Sequence, residues 1–387
     1  MNNIPPVDLA KQYEIIADEL NTAVLQVLGS GRYIGGALVK AFEQQFGRYI
    51  GTTDCVACNS GTDALFLALR ALDIGPGDEV ITTPFTFIAT AEVINAVGAT
   101  PVFVDIDAGT FNLDMAQIEA VISERTRAII PVHLFGQPVD MTRLMAIAQA
   151  HNLFVIEDCA QAAGAEWAGQ KVGSIGHIGC FSFFPTKNLG ACGDGGAVTT
   201  QDPELAAAMR MIADHGRKEL YYHEKVGINS RLDALQAAIL QIKLRYLDSW
   251  NQQRSQAASY YQQLLEPMPN LVAPQALAGG KSVWNYYTIR LTEALDYEGD
   301  ANRFGGNFRD RVRSYLQQQG VVSMVYYPLP LHLQPVYAYL GYCPGQLPVA
   351  EQAANQVLSL PMFPELSLEQ QQQVVYNLKN CLVQPVA

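Results

Sequence analysis

The chain has 387 residues, 49% of them hydrophobic and 16% charged, which is typical of a well-packed globular protein and excludes a disordered one. At this length a single core usually divides, so we expect a large domain over residues 1–250 and a smaller one over residues 251–387. The formal net charge of −12 argues against a nucleic-acid partner.

Targeting segments and cysteines bear on where the protein works. There is no signal peptide at the N-terminus and no membrane-length apolar run, which predicts a cytoplasmic protein without a membrane partner. Seven cysteines are scattered along the chain and form no disulfide framework. Cys55 and Cys58 have C-x-x-C spacing, but no second ligand pair accompanies them. Buried structural thiols are therefore favoured over redox or zinc use, and no metal site is predicted.

The first half of the chain predicts an α/β fold. Two helices flank a Gly-rich turn over 29–36, which is either a binding loop or a plain linker. Short apolar runs then alternate with amphipathic helices. Strands are predicted over 53–58, 79–83, 101–104, 127–132, 153–156 and 179–184. This alternation predicts a mostly parallel sheet covered on both faces, with ligands at the carboxyl ends of its strands.

The second half predicts a smaller α+β domain. The polar segment 251–256 is expected to be the passage between the domains. Beyond it we expect a strand over 283–291, a polar loop over 293–307, a helix over 308–319, a strand over 321–326, a helix near 349–358 and a terminal helix from 367.

Candidate ligand-binding residues follow the first two strands. Ser60, Gly61 and Thr62 begin a helix, where free N–H groups and hydroxyls suit a phosphate, although Ser and Thr are also ordinary helix caps. Phe87 follows the second strand. It either stacks on a planar ring or packs in the core.

Two titratable residues follow later strands. Asp158 ends a buried strand, and burial of an acid there is explained by a cationic partner such as a protonated ring nitrogen, or by an N-cap role. Lys187 is the only lysine or arginine between Lys171 and Arg210. Apolar neighbours lower the pKa of an amine and make it a nucleophile toward aldehydes, although a surface lysine beside a Gly-rich turn is equally compatible.

These features occur in a meaningful order along one sheet. A phosphate site, an aromatic ring, an acid with the nearby Gln161, and a lysine match the groups of pyridoxal phosphate. Asn229 stands at a helix entrance, where its side chain could bind another anion oxygen. His332 follows a proline-stiffened turn and either faces a ligand or simply enters a helix.

Taken together, the motifs at 51–71 (with 60–62), 75–82, 155–162, 181–190, 193–196, 229–233 and 327–332 resemble the DegT/StrS family of nucleotide-sugar aminotransferases. The resemblance covers nearly the whole chain. It implies a pyridoxal phosphate enzyme of fold type I, like aspartate aminotransferase, with a large cofactor-binding domain. The loop over 293–307 departs from the family pattern by being longer and richer in glycine.

The resemblance also implies residue roles. Lys187 would bond covalently to the cofactor aldehyde and shuttle protons, and Asp158 would pair with the ring nitrogen. Gln161 would bind the cofactor's phenolic oxygen. The remaining implied contacts are ring stacking by Phe87, phosphate binding by Gly61, Thr62 and Ser182, phosphate binding by Asn229 from the other subunit of a homodimer with shared active sites, and sugar or diphosphate binding by Tyr327 and His332.

The implied reaction moves an amino group from an amino acid, expected to be glutamate, to a dTDP- or UDP-linked keto-sugar. Amination at C3 is favoured over C4 by the segment 327–334. One alternative is a related dehydratase, but such relatives carry histidine where this chain has Lys187. Another alternative is a non-catalytic regulator that has kept the fold.

Overall fold

The computed structural model describes residues 3–266, 268, 270–292 and 307–383. Apart from Asn307, the predicted loop over 293–307 lies outside these ranges. The helices in the described ranges are α1 (Leu9–Ser30), α2 (Gly36–Ile50), α3 (Gly61–Ala71), α4 (Ala89–Ala96), α5 (Met141–Ala150), α6 (Pro203–Ala213), α7 (Ala234–Leu265), α8 (Phe308–Gln318), α9 (Pro348–Gln356) and α10 (Leu368–Val383).

The strands range from two to five residues in length. They are β1 (Asp54–Cys58), β2 (Glu79–Thr82), β3 (Thr100–Phe103), β4 (Thr126–Ile130), β5 (Phe154–Asp158), β6 (Glu166–Trp167), β7 (Gln170–Lys171), β8 (Ile178–Ser182), β9 (Gly196–Thr200), β10 (Arg217–Glu219), β11 (Tyr222–His223), β12 (Leu271–Val272), β13 (Gly280–Lys281), β14 (Tyr287–Leu291) and β15 (Val357–Leu360).

A central sheet of seven strands has the order β1-β9-β8-β5-β4-β2-β3. Strands β8, β5, β4, β2 and β3 run parallel, whereas β9 is antiparallel to both of its neighbours. The mostly parallel α/β sheet predicted from the sequence is therefore confirmed. Because parallel strands end at the same edge, the residues that follow β2, β5 and β8 come close together.

Both faces of this sheet are buried, which follows from the alternation of side chains along each strand. On β1, Val56 and Cys58 pack in a core with α3, α4 and α6. Cys55 and Ala57 point to the opposite face and pack with residues of α2 and α7. The two cysteines of the C-x-x-C motif are thus buried free thiols, as predicted.

Helix α7 runs without interruption through the predicted passage between domains. Its 32 residues include Asn251 and Arg254, which are buried rather than exposed in a linker. Arg254 Nη1 donates hydrogen bonds to the carbonyls of Trp284 and Met362. Before this segment, Leu240 and Leu247 of α7 pack in one core with residues of α2, whereas Ala257 and Leu265 after it pack in another core with residues of β14. The segment is thus a helical passage between two cores, and the division at residue 250 stays a prediction.

The C-terminal region is built on a smaller antiparallel sheet with the order β12-β14-β15. Residues of α7, α8 and α10 pack against it, and Ile4 joins the same core. The predicted strand over 321–326 is wrong, since Val321 and Met324 form only isolated bridges. Strand β15 was missed because its short apolar run directly continues the apolar pattern of α9.

No helix within the described ranges combines the length and the apolar character that crossing a bilayer requires.

Candidate active site

A cavity of about 390 Å³ opens at the edge where β2, β5 and β8 end. The residues that follow these three strands and the first turn of α3 form much of its wall. Eight of the ten predicted site residues line it, namely Gly61, Thr62, Phe87, Asp158, Gln161, Ser182, Lys187 and Tyr327. Asn229 and His332 are not part of the wall.

Asp158 is the last residue of β5 and is only 5% exposed. Its Oδ2 accepts a hydrogen bond from Thr90 Oγ1 at 2.8 Å, and its Oδ1 accepts one from the Ala160 N–H at 3.1 Å. Burial raises the pKa of Asp158, although these hydrogen bonds and the charge of Lys187 oppose the shift. Such a carboxylate favours a cationic partner in the cavity.

Lys187 reaches the same cavity from the segment that follows β8. Its backbone N–H donates to the Phe184 carbonyl at 2.9 Å, which closes a turn at this position. Burial lowers the pKa of its amine to about 8, and the charge of Asp158 opposes this shift. With this pKa about a tenth of the amine is neutral at pH 7, and the neutral form is the one that a nucleophile or a proton acceptor requires.

The first turn of α3 makes a tight backbone surface against β8. Ser60 caps the helix, because its Oγ accepts from the Asp63 N–H at 3.1 Å. The N–H groups of Gly61 and Thr62 have no acceptor inside the helix, so they are available to an anion. A Cβ on Gly61 would lie only 2.7 Å from Ser182 Cβ, so a side chain does not fit there.

Two aromatic residues that the sequence singles out line the cavity. Phe87 is 57% exposed, so its ring is not a core ring, the alternative that the sequence left open. The hydroxyl of Tyr327 accepts a hydrogen bond from Gln161 Nε2 at 3.2 Å. The other end of that amide, Gln161 Oε1, accepts from the Phe135 N–H at 2.7 Å. Gln161 is therefore held between the backbone and Tyr327.

Asn229 lies outside this cavity on the protein surface. It forms an isolated bridge with Asp214, next to the hairpin of β10 and β11. The adjacent Ser230 binds Asn59, since its Oγ accepts from the Asn59 N–H and donates to Asn59 Oδ1, both at 3.3 Å. This chain alone therefore does not bring Asn229 to the other site residues.

His332 differs from its prediction as a substrate contact. It is 2% exposed, and its Nε2 lies 3.1 Å from Glu351 Oε1. A 3-10 helix over Leu331–Leu333 turns the ring away from the cavity and against Tyr342. The carboxylate of Glu351 also accepts the Gly345 N–H, so His332 helps to fix a loop in this chain.

Sequence reasoning missed Thr90, whose hydroxyl contacts Asp158. It lies four residues after Thr86, and the two hydroxyl oxygens are 3.3 Å apart. A threonine pair at helical spacing directly after β2 was the available signal, since both residues then face the same edge. Two tyrosines that line the cavity, Tyr286 and Tyr326, were also missed. Their rings are 4.3 Å apart.

A buried cluster of His133, Glu157 and Cys159 has the residue types of a metal site. The imidazole is already engaged, since Nδ1 accepts from the Val139 N–H and Nε2 lies 3.0 Å from Glu157. Glu157 also accepts three backbone N–H groups, at 2.6–2.9 Å. These hydrogen bonds satisfy the charge without an ion, so the cluster supports the end of β5.

Comparison with known proteins identifies the family. Residues 14–379 match the model of the DegT/DnrJ/EryC1/StrS aminotransferase family. The chain belongs to this family. The resemblance predicted from the sequence is thereby confirmed, and the protein is a pyridoxal phosphate-dependent aminotransferase.

Individual relatives in this family match nearly full length. A pleiotropic regulatory protein from Geobacillus stearothermophilus is 51% identical, covering 97% of this chain and 98% of the relative. A UDP-N-acetyl-3-dehydro-alpha-D-glucosamine 3-aminotransferase from Acidithiobacillus ferrooxidans is 48% identical over 95% of each chain. The crystal structure of S. venezuelae DesV in complex with ketimine intermediate superimposes with a TM-score of 0.93 at 42% identity, covering 99% of this chain and all of DesV.

The residues of this cavity fit the family's cofactor, pyridoxal phosphate. The free N–H groups at 61 and 62 suit its phosphate, and the space that Gly61 leaves beside Ser182 admits close approach. The buried Asp158 carboxylate suits a protonated ring nitrogen. The amine of Lys187, with its lowered pKa, suits the aldehyde.

Proposed function

We propose that this protein transfers an amino group from glutamate to the C3 keto group of a nucleotide-linked sugar. The observation that carries the proposal is the placement of Lys187 and Asp158 in one cavity beside an anion-binding helix start. The name of the A. ferrooxidans relative supports both C3 amination and a UDP-linked substrate. A dTDP-linked sugar is the competing outcome of the substrate test below.

The chemistry is divided between the cofactor and the side chains. When bound, pyridoxal phosphate supplies an aldehyde and a ring that withdraws electrons from the substrate carbon. Asp158 would keep a proton on the ring nitrogen, because the hydrogen bonds from Thr90 and Ala160 favour the ionised form of its carboxylate. Lys187 would bond to the aldehyde, and its amine, when free and neutral, would take the proton from the donor's α-carbon.

Other residues orient the reactants. Gly61, Thr62 and Ser182 would hold the phosphate, and Phe87, which is exposed and lines the cavity, would stack on the ring. Gln161 is fixed at one end by the Phe135 N–H, so its Nε2 can donate to the cofactor's phenolic oxygen as well as to Tyr327. Tyr327 contacts the sugar from the cavity wall.

The active unit we propose is a homodimer with shared active sites. Asn229 is exposed and lies outside the cavity, so it reaches a phosphate only in a second copy of the chain. Large apolar residues stay exposed on α1 and beside the hairpin of β10 and β11. They include Ile15, Leu25, Leu28, Leu220, Tyr221 and Val226. Surfaces of this kind are typical of protein interfaces.

A cytoplasmic location accompanies this proposal. All seven cysteines are free thiols, which persist in a reducing compartment.

A regulatory role is the second candidate, and the name of the G. stearothermophilus relative favours it. A regulator without chemistry has no use for an amine whose pKa is lowered to about 8 beside a buried acid. The dehydratase alternative requires histidine at position 187, where this chain has lysine.

The deciding experiment mixes the purified, coloured protein with glutamate and then with a panel of UDP- and dTDP-linked 3-keto and 4-keto sugars. We expect glutamate to bleach the colour, and a 3-keto sugar to restore it while gaining an amino group. Recovery only with 4-keto sugars would reject the C3 assignment. A protein that never becomes coloured with pyridoxal phosphate would reject the enzyme.

A further inference from the structure

The segment that follows the reactive lysine, residues 187–192, is here called the lysine loop. It lies along α7, and three polar side chains of that helix contact it. They are Gln236, Lys243 and Asn251, at spacings of seven and eight residues. Because an α-helix has 3.6 residues per turn, these spacings place all three on one face.

Each of the three contacts a different position of the lysine loop. Asn251 Oδ1 accepts a hydrogen bond from Asn188 Nδ2 at 2.7 Å. Lys243 Nζ donates to the Gly190 carbonyl at 2.8 Å. At the far end, Cys192 is held on both sides, with 2.8 Å from its N–H to Gln236 Oε1 and 3.3 Å from its carbonyl to Gln236 Nε2.

Lys243 differs from the other two residues because its side chain is ionisable and buried, whereas Gln236 and Asn251 are uncharged. It is 5% exposed, and burial lowers the pKa of its amine, with the neighbouring Cys192 thiol acting in the opposite direction. A buried ammonium is costly unless it is hydrogen-bonded. The carbonyl that it contacts belongs to the lysine loop, so the loop and this amine stabilise each other.

The backbone around Gly190 leaves the loop little freedom. A side chain on Gly190 would overlap the Pro185 carbonyl, so the chain folds back closely at this point. The next N–H, that of Ala191, donates to the Phe183 carbonyl at 2.7 Å. Lys187 therefore projects from a turn whose returning segment is fixed by Lys243.

We propose that Lys243 is a positioning residue for Lys187. Its ammonium holds the Gly190 carbonyl and thereby fixes the lysine loop, so that the amine of Lys187 stays in its desolvated place beside Asp158. Gln236 and Asn251 hold the two ends of the same loop. This inference rests on the proposed role of Lys187 as the reactive amine, and it adds a residue that lies outside the cavity wall.

The test measures the amine of Lys187 in protein freed of cofactor. The rate of its modification by trinitrobenzenesulfonate is followed by peptide mapping between about pH 6 and 10. We expect the wild-type rate to have its midpoint near 8. In Lys243→Met the loosened loop exposes Lys187 more fully to water, so the midpoint rises. The rate near pH 7.5, expressed as a fraction of the rate at high pH, then falls about tenfold.

Matched variants separate positioning from simple stability. Lys243→Arg keeps a cationic N–H donor and should restore the midpoint to near that of the wild type. Gln241→Met removes a polar side chain of α7 that donates to the Leu38 carbonyl instead, and should leave the midpoint unchanged. If Lys243→Met does not fold, Gln236→Leu releases the Cys192 end from a partly exposed position and should raise the midpoint as well.

An unchanged midpoint in folded Lys243→Met, or in Gln236→Leu where Lys243→Met does not fold, would overturn the proposal and make Lys243 a residue of the fold only. Failure of the proposed function has a different signature. Borohydride treatment of the coloured wild-type protein would then leave the peptide of Lys187 unlabelled.

Discussion

The hydroxyl of Thr90 offers the sharpest test of how Asp158 controls the reaction. Thr90 Oγ1 donates to Asp158 Oδ2 at 2.8 Å, and both residues are buried. Thr90→Val keeps the shape of the side chain and removes the donor. Because a hydrogen bond to the ionised form favours that form, its loss raises the pKa of Asp158 further and weakens the pairing with the ring nitrogen.

The size of the effect follows from the charge. A hydrogen bond to a charged group contributes about 1.5–3 kcal/mol, which corresponds to a rate loss of about 10- to 150-fold. The assay is the rate at which excess glutamate bleaches the coloured protein in a single turnover. Thr90→Ser retains a hydroxyl and should lose much less of the rate than Thr90→Val.

Thr82→Val is the matched control. Thr82 is also buried on the same edge of the sheet, but its hydroxyl donates to the Ile130 carbonyl at 2.9 Å and not to Asp158. Its bleaching rate should equal that of the wild type. The reasoning is refuted if Thr90→Val bleaches at the wild-type rate, or if Thr82→Val is slowed as much as Thr90→Val.

Three further predictions concern the phosphate site at Gly61, the pKa of Lys187 and the homodimer. Gly61→Ala places a Cβ 2.7 Å from Ser182 Cβ and should weaken cofactor binding at least about tenfold in an equilibrium titration. An unchanged affinity would show that the backbone around Gly61 and Ser182 adapts to the added methyl group. The charge of Asp158 raises the pKa of Lys187. In cofactor-free Asp158→Asn, the rate at which Lys187 is acylated should therefore have its pH midpoint below 8. A midpoint above 8 would contradict the attraction between the Asp158 carboxylate and the Lys187 ammonium. Mixing inactive Lys187→Ala with inactive Asn229→Ala protein should restore activity, since one site of a mixed dimer is then intact, and inactive mixtures that have demonstrably exchanged subunits would exclude shared sites.

The sequence predicted best those parts of the site that follow strands of the parallel sheet. Gly61, Phe87, Asp158 and Lys187 are found at one edge because parallel strands with alternating helices leave no other arrangement. Periodicity locates these strands, and the edge then brings their following residues together. The role of each position could be predicted because a glycine, a buried acid and an isolated lysine each have few functions at the end of a strand.

The sequence did not predict the burial of polar residues, because the same residue types occur both at the surface and, when hydrogen-bonded, in the interior. The polar composition of the segment 251–256 does not reveal that Asn251 and Arg254 are buried and donate hydrogen bonds to carbonyls far away in the sequence. His332 sits after a proline turn as an exposed ligand contact would, but Glu351 binds it in the interior. The partners of such buried polar groups are distant in sequence, so local patterns carry no information about them.

The unbroken course of α7 has a mechanical consequence. Near its N-terminal end, this helix holds the lysine loop through hydrogen bonds of Gln236 and Lys243. Further along the helix, Arg254 donates hydrogen bonds to the carbonyls of Trp284 and Met362 in the C-terminal region. Because α7 is unbroken between these two attachments, a displacement of Arg254 would be transmitted along the helix to the lysine loop.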